Sequence, residues 1–148
     1  DDASGNYVEN RKARFDYELM EEFEAGLELD GPEVKSVRAG KMSLAGSFVS
    51  VRGGEAFLLN AEVAPYQPKN LKADYDPKRA RKLLMTKDEL SKLAIAEATK
   101  GLTIVPITVY NKGRFIKCRV AIARGKKEFD KRESIKKRNT ERDLKRSL

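Results

Sequence analysis

Residues 102–124 spell out a β-hairpin, and a hairpin that long commits the surrounding chain to an antiparallel sheet. Residues 102–110 are rich in β-branched side chains, Asn111-Lys112-Gly113 supplies a turn, and residues 114–124 return. On the return, Ile116, Cys118, Val120 and Ile122 share one face and Lys117 and Arg119 the other, the alternation of a half-buried strand. Pro106 has no N–H to give to a ladder, which predicts a bulge or an edge. A second hairpin is expected where Phe48-Val49-Ser50-Val51 and Ala56-Phe57-Leu58-Leu59 flank Arg52-Gly53-Gly54-Glu55, since paired glycines accept the positive φ of a tight turn.

Residues 14–30 fit two periods. Phe15, Tyr17, Leu19, Phe23, Ala25, Leu27 and Leu29 alternate with acidic residues, whereas Phe15, Leu19, Phe23 and Leu27 recur every four. The alternation covers more positions and Gly26 would weaken a helix interior, so a strand is expected. Gly31-Pro32 should open a short helical turn over residues 33–38, closed by Gly40. Pro65 and Pro68 mark a loop that runs through a basic stretch to Pro77. Thr86 and Glu89 form a capping box for a helix with Leu90, Leu93, Ala94 and Ala98 on its apolar face, ended by Gly101. Several antiparallel strands with few helices predict a mainly β fold: a small closed antiparallel β-barrel, because closure removes exposed edges, with flanking short helices.

The 148 residues suit one domain. We divide them into a flexible N-terminal leader (1–9), the β-barrel domain (10–124) and a basic C-terminal tail (125–148). The tail holds ten Lys/Arg against five Asp/Glu, +5 of the chain's +8. Its large apolar residues are Phe129, Ile135, Leu144 and Leu148, too few for a buried stripe. Glu128 with Arg132, Glu133 with Lys137 and Glu141 with Lys145 are spaced for helical ion pairs. Such a segment is expected to be disordered alone and helical on a partner.

Chemistry is bounded by what is missing. With no histidine, Ser-His-Asp and Cys-His catalysis and imidazole metal ligation are excluded. The single Cys118 excludes an intrachain disulfide or a Cys-based zinc site and suits a reducing compartment. The chain opens at Asp1 with no Met and no signal-like apolar stretch, as a trimmed start would, and has no apolar run near the roughly 20 residues that span a bilayer. No Walker loop, dinucleotide-binding glycine set or nucleophile elbow is present. No catalytic residue, metal ligand or cofactor is expected. The acidic cluster of Glu18, Glu21, Glu22 and Glu24 reads as a solvated face; a carboxylate-metal nuclease on Glu18, Glu22 and Glu24 is the enzymatic alternative.

Basic residues fall in three groups: Arg11, Lys12 and Arg14 after Asn10; Lys69, Lys72, Lys78, Arg79, Arg81 and Lys82 in the central loop; and the tail. Together they point to an anionic partner, because phosphate contacts dominate nucleic-acid affinity. A membrane fits worse, since no amphipathic stripe accompanies the charge. Tyr66, Tyr75 and Phe115 are candidate stacking platforms for RNA bases.

Seven short runs in order resemble a known family. They are Asn10-Arg11-Lys12-Ala13-Arg14; Glu22-Phe23-Glu24-Ala25-Gly26; Glu33-Val34-Lys35-Ser36 with Arg38-Ala39-Gly40; Gly54-Glu55-Ala56-Phe57; Arg81-Lys82-Leu83-Leu84; Gly125-Lys126-Lys127; and Asp130-Lys131-Arg132. The chain resembles the small protein B family, the SsrA-binding (tmRNA-binding) proteins of bacterial trans-translation. The resemblance implies an oligonucleotide-binding-like (OB-fold-like) barrel in a cytoplasmic, monomeric, non-enzymatic adaptor. Such an adaptor binds the tRNA-like domain of tmRNA (SsrA RNA) and delivers alanyl-tmRNA, with elongation factor Tu and GTP, to the decoding centre of a stalled ribosome. The tail would enter the empty mRNA channel as a helix. The implied tmRNA-binding residues are Asn10, Lys12, Glu24 and Leu84, supported by Arg11, Arg14 and Lys35. The implied ribosome-facing residues are Gly125, Lys126, Lys127, Asp130, Lys131 and Arg132, then Lys136, Lys137 and Arg138.

Three positions depart from the family pattern. Phe15 and Phe129 stand where relatives commonly carry His, or His or Tyr, so stacking rather than proton transfer is expected there. Pro32 replaces a common aromatic. A general RNA-binding or ribosome-associated protein without tmRNA selectivity is the rival from the binding class.

Overall fold

The computed structural model describes residues 5–67 and 74–127, with Arg132, Ile135, Lys136, Arg138 and Asn139 of the C-terminal segment. In chain order the elements are β1 (Asn6–Glu9), α1 (Arg11–Asp16), β2 (Tyr17–Leu27), α2 (Gly31–Arg38), β3 (Met42–Ser43), β4 (Phe48–Arg52), β5 (Glu55–Leu59), β6 (Glu62–Val63), β7 (Arg81–Leu84), α3 (Lys87–Glu97), β8 (Leu102–Lys112) and β9 (Phe115–Gly125). Seven strands form an antiparallel sheet in the order β1-β8-β9-β2-β7-β5-β4, and β3 pairs with β6 apart from it.

The mainly β antiparallel class with short helices is as expected; closure of the ladder is not. β4 lies beside β8, but among the described residues no hydrogen-bonded pairing joins them. The reason lies at the edges. β1 pairs with β8 at Asn6↔Tyr110 and Glu9↔Thr108, occupying part of the edge that closure would need. Helix α3 packs on both β4 and β8 and covers the seam, and its Glu97 Oε1 accepts the Val51 N–H at 3.1 Å. A helix over an edge protects it as closure would. Asn6–Glu9 is therefore an edge strand where the sequence suggested a loose leader.

Both hairpins form. Gly53 and Gly54 have φ of 57° and 77° between the paired Arg52 and Glu55, the two positive angles of a type I′ turn. In the second hairpin Lys112 pairs with Phe115, so the turn residues are Gly113 and Arg114, one position later than expected. Helix α3 starts at the expected capping box, Thr86 with Glu89. Helix α2 has one too, Asp30 with Glu33.

The expected strand forms over Tyr17–Leu27, but a bulge makes its alternation change face. The β2–β9 register shifts between Leu19 and Glu21. After the shift Phe23, Ala25 and Leu27 enter the main core with Ile104, Val109, Cys118, Val120 and Ile122. Before it, Tyr17 and Leu19 pack in a second, smaller core with Ala13, Val105, Ile107, Ala121 and Ala123, under α1 on the other face. A bulge inserts one residue and moves everything beyond it across the sheet. The second bulge, between Pro106 and Thr108, sits where the proline required it. Cys118 is fully buried and its thiol pushed up to about 12 by that burial, so it is a packing residue. No helix among the described residues is long and apolar enough to cross a membrane.

Candidate nucleic-acid interface

Helix α1 covers only part of the sheet's outer face. Along β9, Ala123 and Ala121 lie beneath it; beyond them Arg119, Lys117 and Phe115 continue the same face uncovered. The ladder sets Glu24 opposite Arg119, Gly26 opposite Lys117 and Leu84, and Tyr110 opposite Lys117. A patch of mixed cationic and aromatic character results.

Glu24 organises this patch. Its carboxylate accepts a short hydrogen bond from the Tyr110 hydroxyl and one of 3.0 Å from Lys112 Nζ. The Tyr110 bond, then the Lys112 bond, hold the Glu24 carboxyl below its usual range. Burial, then the bond to Glu24, push the Tyr110 phenol up, so it stays a neutral donor. The Arg119 guanidinium stands 5.6 Å from the Tyr110 ring centroid. Glu24 thus fixes an aromatic ring and one cation, with a second cation over that ring. Neither Tyr110 nor Lys112 was singled out from sequence; they lie 86 and 88 residues from Glu24, and only the fold brings them together.

Leu84 is 52% exposed at the end of β7. It lies across Gly26 so closely that a Cβ there would sit 3.3 Å from Leu84 Cβ. Leu84 thus occupies the space over Gly26 that a side chain there would need.

At the other end of the face, Asn10 is a clamp. Its Oδ1 caps α1 by accepting the Ala13 N–H at 3.2 Å, and its Nδ2 donates to the Pro106 carbonyl at 2.9 Å. Its backbone N–H reaches the Ile107 carbonyl at 2.7 Å. The residue serves local structure, and its neighbours Arg11, Lys12 and Arg14 are exposed on the helix it holds. The start of the tail is fastened to the same helix. Lys126 donates its backbone N–H to the Asp16 carbonyl at 2.8 Å and its Nζ to the Arg14 carbonyl at 3.2 Å. Exposed Gly125 and Lys127 flank it.

Farther along, the Arg138 guanidinium stands 5.3 Å from the Phe15 ring centroid. Arg132 and Lys136 are exposed and helical. Asp130, Lys131, Lys137 and Phe129 lie outside the described residues.

The central basic group does not join the patch. Glu33, buried on α2, accepts hydrogen bonds from Arg79 and Arg81. Arg81 is itself fully buried and also donates to the carbonyls of Ala61 and Pro77 at 2.9 and 3.0 Å. Burial pushes the Glu33 carboxyl up, but the two arginines outweigh it and hold the group below its usual range. Lys82 pairs with Glu55 at 2.8 Å. Lys78 is exposed, while Lys69 and Lys72 lie outside the described residues. Of the candidate platforms, Tyr75 gives its hydroxyl to the Val63 carbonyl at 2.7 Å, whereas Tyr66 and Phe115 are exposed. Lys35 is exposed on α2, beside Tyr66 and Tyr75 and away from Glu24.

The acidic cluster does not converge. Glu21 pairs with Lys92 and Glu24 with Lys112, and among the described residues no three carboxylates are grouped to hold one ion.

The family model for SmpB protein matches residues 7–148. An SsrA-binding protein of Microcystis aeruginosa is 48% identical over 148 residues, covering 100% of this chain and 96% of the relative. One from Acaryochloris marina is 51% identical over 140 residues, covering 95% and 91%. A solved structure described as "tmRNA-SmpB: a journey to the center of the bacterial ribosome" superposes with a TM-score of 0.68 at 46% identity, covering 86% of this chain and 93% of that one.

Proposed function

The chain belongs to the SmpB protein family, and on that premise we propose that it is an SsrA-binding protein acting with tmRNA in trans-translation on the ribosome. It is a binding protein and not an enzyme. The observation that carries the reading is the uncovered outer face on which Glu24 holds Tyr110 and Lys112 beside Arg119. Cations there neutralise phosphates, while the fixed Tyr110 and the exposed Leu84 give the surface a shape that a folded RNA must match. We assign this face, with Lys12, Arg11 and Arg14 on the adjoining helix, to the tRNA-like domain of tmRNA. Asn10 contributes by fixing that helix. Lys35, on the far side of α2, contacts the RNA only if it wraps past Leu84.

The finer assignments follow the same logic. The curled sheet acts as an oligonucleotide-binding-like barrel whose seam α3 covers. The residues from Gly125 onward, including Lys126, Lys127, Arg132, Lys136 and Arg138, serve the decoding centre and mRNA channel of a stalled ribosome. Delivery of alanyl-tmRNA with elongation factor Tu and GTP would then use the two surfaces together, in a cytoplasmic monomer. The test is a competition titration at two salt concentrations, with the tRNA-like domain challenged by an ordinary tRNA and an unrelated hairpin. Salt weakens the phosphate contribution and spares shape-specific contacts. A preference that persists at high salt is expected; equal competition by all three RNAs would reduce the protein to a general RNA binder.

A further inference from the structure

We propose that the cleft between α2 and the neighbouring ends of β2, β7 and β9 receives one unstacked nucleobase of the bound RNA, stacked on Phe115. This rests on the RNA-binding reading above and adds a contact that neither the capping clamp nor the Glu24 cluster supplies. Phe115 opens β9 just past the turn and is 63% exposed. A lone exposed phenylalanine needs no explanation. This one shares a cleft of about 330 Å³ with the half-exposed Leu84, and Gly26 contributes no side chain to the floor.

The rim is cationic. Lys117 Nζ stands 5.7 Å from the Phe115 centroid, and Arg38, which lines the cleft with Arg114, donates to the Arg114 carbonyl at 3.2 Å. An apolar floor, one aromatic face and a ring of cations suit a flat π-system whose two neighbours are phosphates. An apolar peptide would gain nothing from the three cations. The volume is at the lower limit of small-ligand pockets, enough for one base and not for a duplex. Lys117 pairs across the ladder with both Gly26 and Tyr110, so the cleft continues directly into the Glu24 cluster.

The chain contains no tryptophan, so Phe115→Trp in the full chain is a single fluorescent reporter at the proposed stacking position. The variant is titrated with the tRNA-like domain of tmRNA, while retention of labelled RNA measures binding independently. Quenching of the indole on saturation with RNA, and none with heparin as a base-free polyanion, is expected. Phe115→Ala should bind roughly 5- to 100-fold more weakly, the range for losing one stacked base, with an unchanged salt slope. Lys117→Ala should instead make the slope shallower. Unchanged emission with RNA bound, equal quenching by heparin, or wild-type affinity in Phe115→Ala would overturn the base cleft and leave the RNA-binding reading intact. Failure of the unmodified protein to prefer the tRNA-like domain would overturn that reading itself.

Discussion

Arg81 donates from Nε and Nη2 to the same carboxylate oxygen of Glu33, at 3.0 and 2.7 Å, with both side chains sealed from solvent. This pair ties α2 to β7, elements 48 residues apart in sequence. Breaking a buried pair leaves an uncompensated charge and costs about 3–5 kcal/mol. Glu33→Gln should lower the urea midpoint accordingly. Because the folded Glu33 pKa is depressed, its stabilisation is complete above the unfolded carboxyl value of about 4.3 and is lost as pH falls through the folded value. The variant's stability should therefore fall less steeply in acid than the wild type's.

Glu24→Gln should lower the Tyr110 phenol toward its ordinary value, since after burial the bond to the Glu24 carboxylate is the largest cause that raises it. A spectrophotometric titration of tyrosine ionisation reads this directly. Affinity for the tRNA-like domain should fall roughly tenfold in Glu24→Ala, the scale of one lost charged hydrogen bond, with the far-ultraviolet CD unchanged.

Gly26→Ala tests the Leu84 surface without deleting it. The new Cβ would sit 3.3 Å from Leu84 Cβ, which the ladder holds opposite Gly26, so Leu84 must give by a few tenths of an ångström. Unfolding free energy should change by less than about 1 kcal/mol, as for most surface substitutions. RNA affinity should still drop several-fold, because the shape of the face has changed.

Asn10 separates two roles that one residue performs. Asn10→Asp keeps the cap on the Ala13 N–H and loses the donor to the Pro106 carbonyl; Asn10→Ala loses both. Alanine should cost about 1–2 kcal/mol in thermal or urea unfolding, and aspartate less. Matching losses of RNA affinity in the two variants would mean that the amide also touches RNA.

Truncation should be made after Lys127. Strand β9 runs to Gly125, which still pairs with Tyr17, and Lys126 is hydrogen-bonded to Asp16. A chain ending at Lys127 is expected to keep tmRNA binding and lose tagging of stalled chains, measured in a reconstituted translation system. Tagging by that truncated chain would remove the tail from the mechanism.

Much of the fold was legible because its signals are local. Gly53-Gly54, Pro106 and the Thr86–Glu89 box act within a few residues of themselves. What escaped depends on distant partners. β7 reads as basic loop because nothing near Arg81 announces the buried carboxylate that neutralises it. Helix α1 was hidden in an alternation that crosses the bulge at Met20, where the pattern changes face without changing period. The site divides the same way. Glu24 and Leu84 were reached through resemblance, whereas Tyr110 and Lys112 became visible only when the ladder set them beside Glu24.

Strand β9 begins at Phe115 and ends at Gly125, where the tail departs. It is hydrogen-bonded on both flanks, to β2 and to β8. Ten residue steps at about 3.3 Å give a span of roughly 33 Å. A strand held on both sides neither stretches nor slips without moving its whole inner face out of the core. β9 therefore works as a gauge: it sets the distance between the face proposed to grip the RNA and the point where the tail sets out.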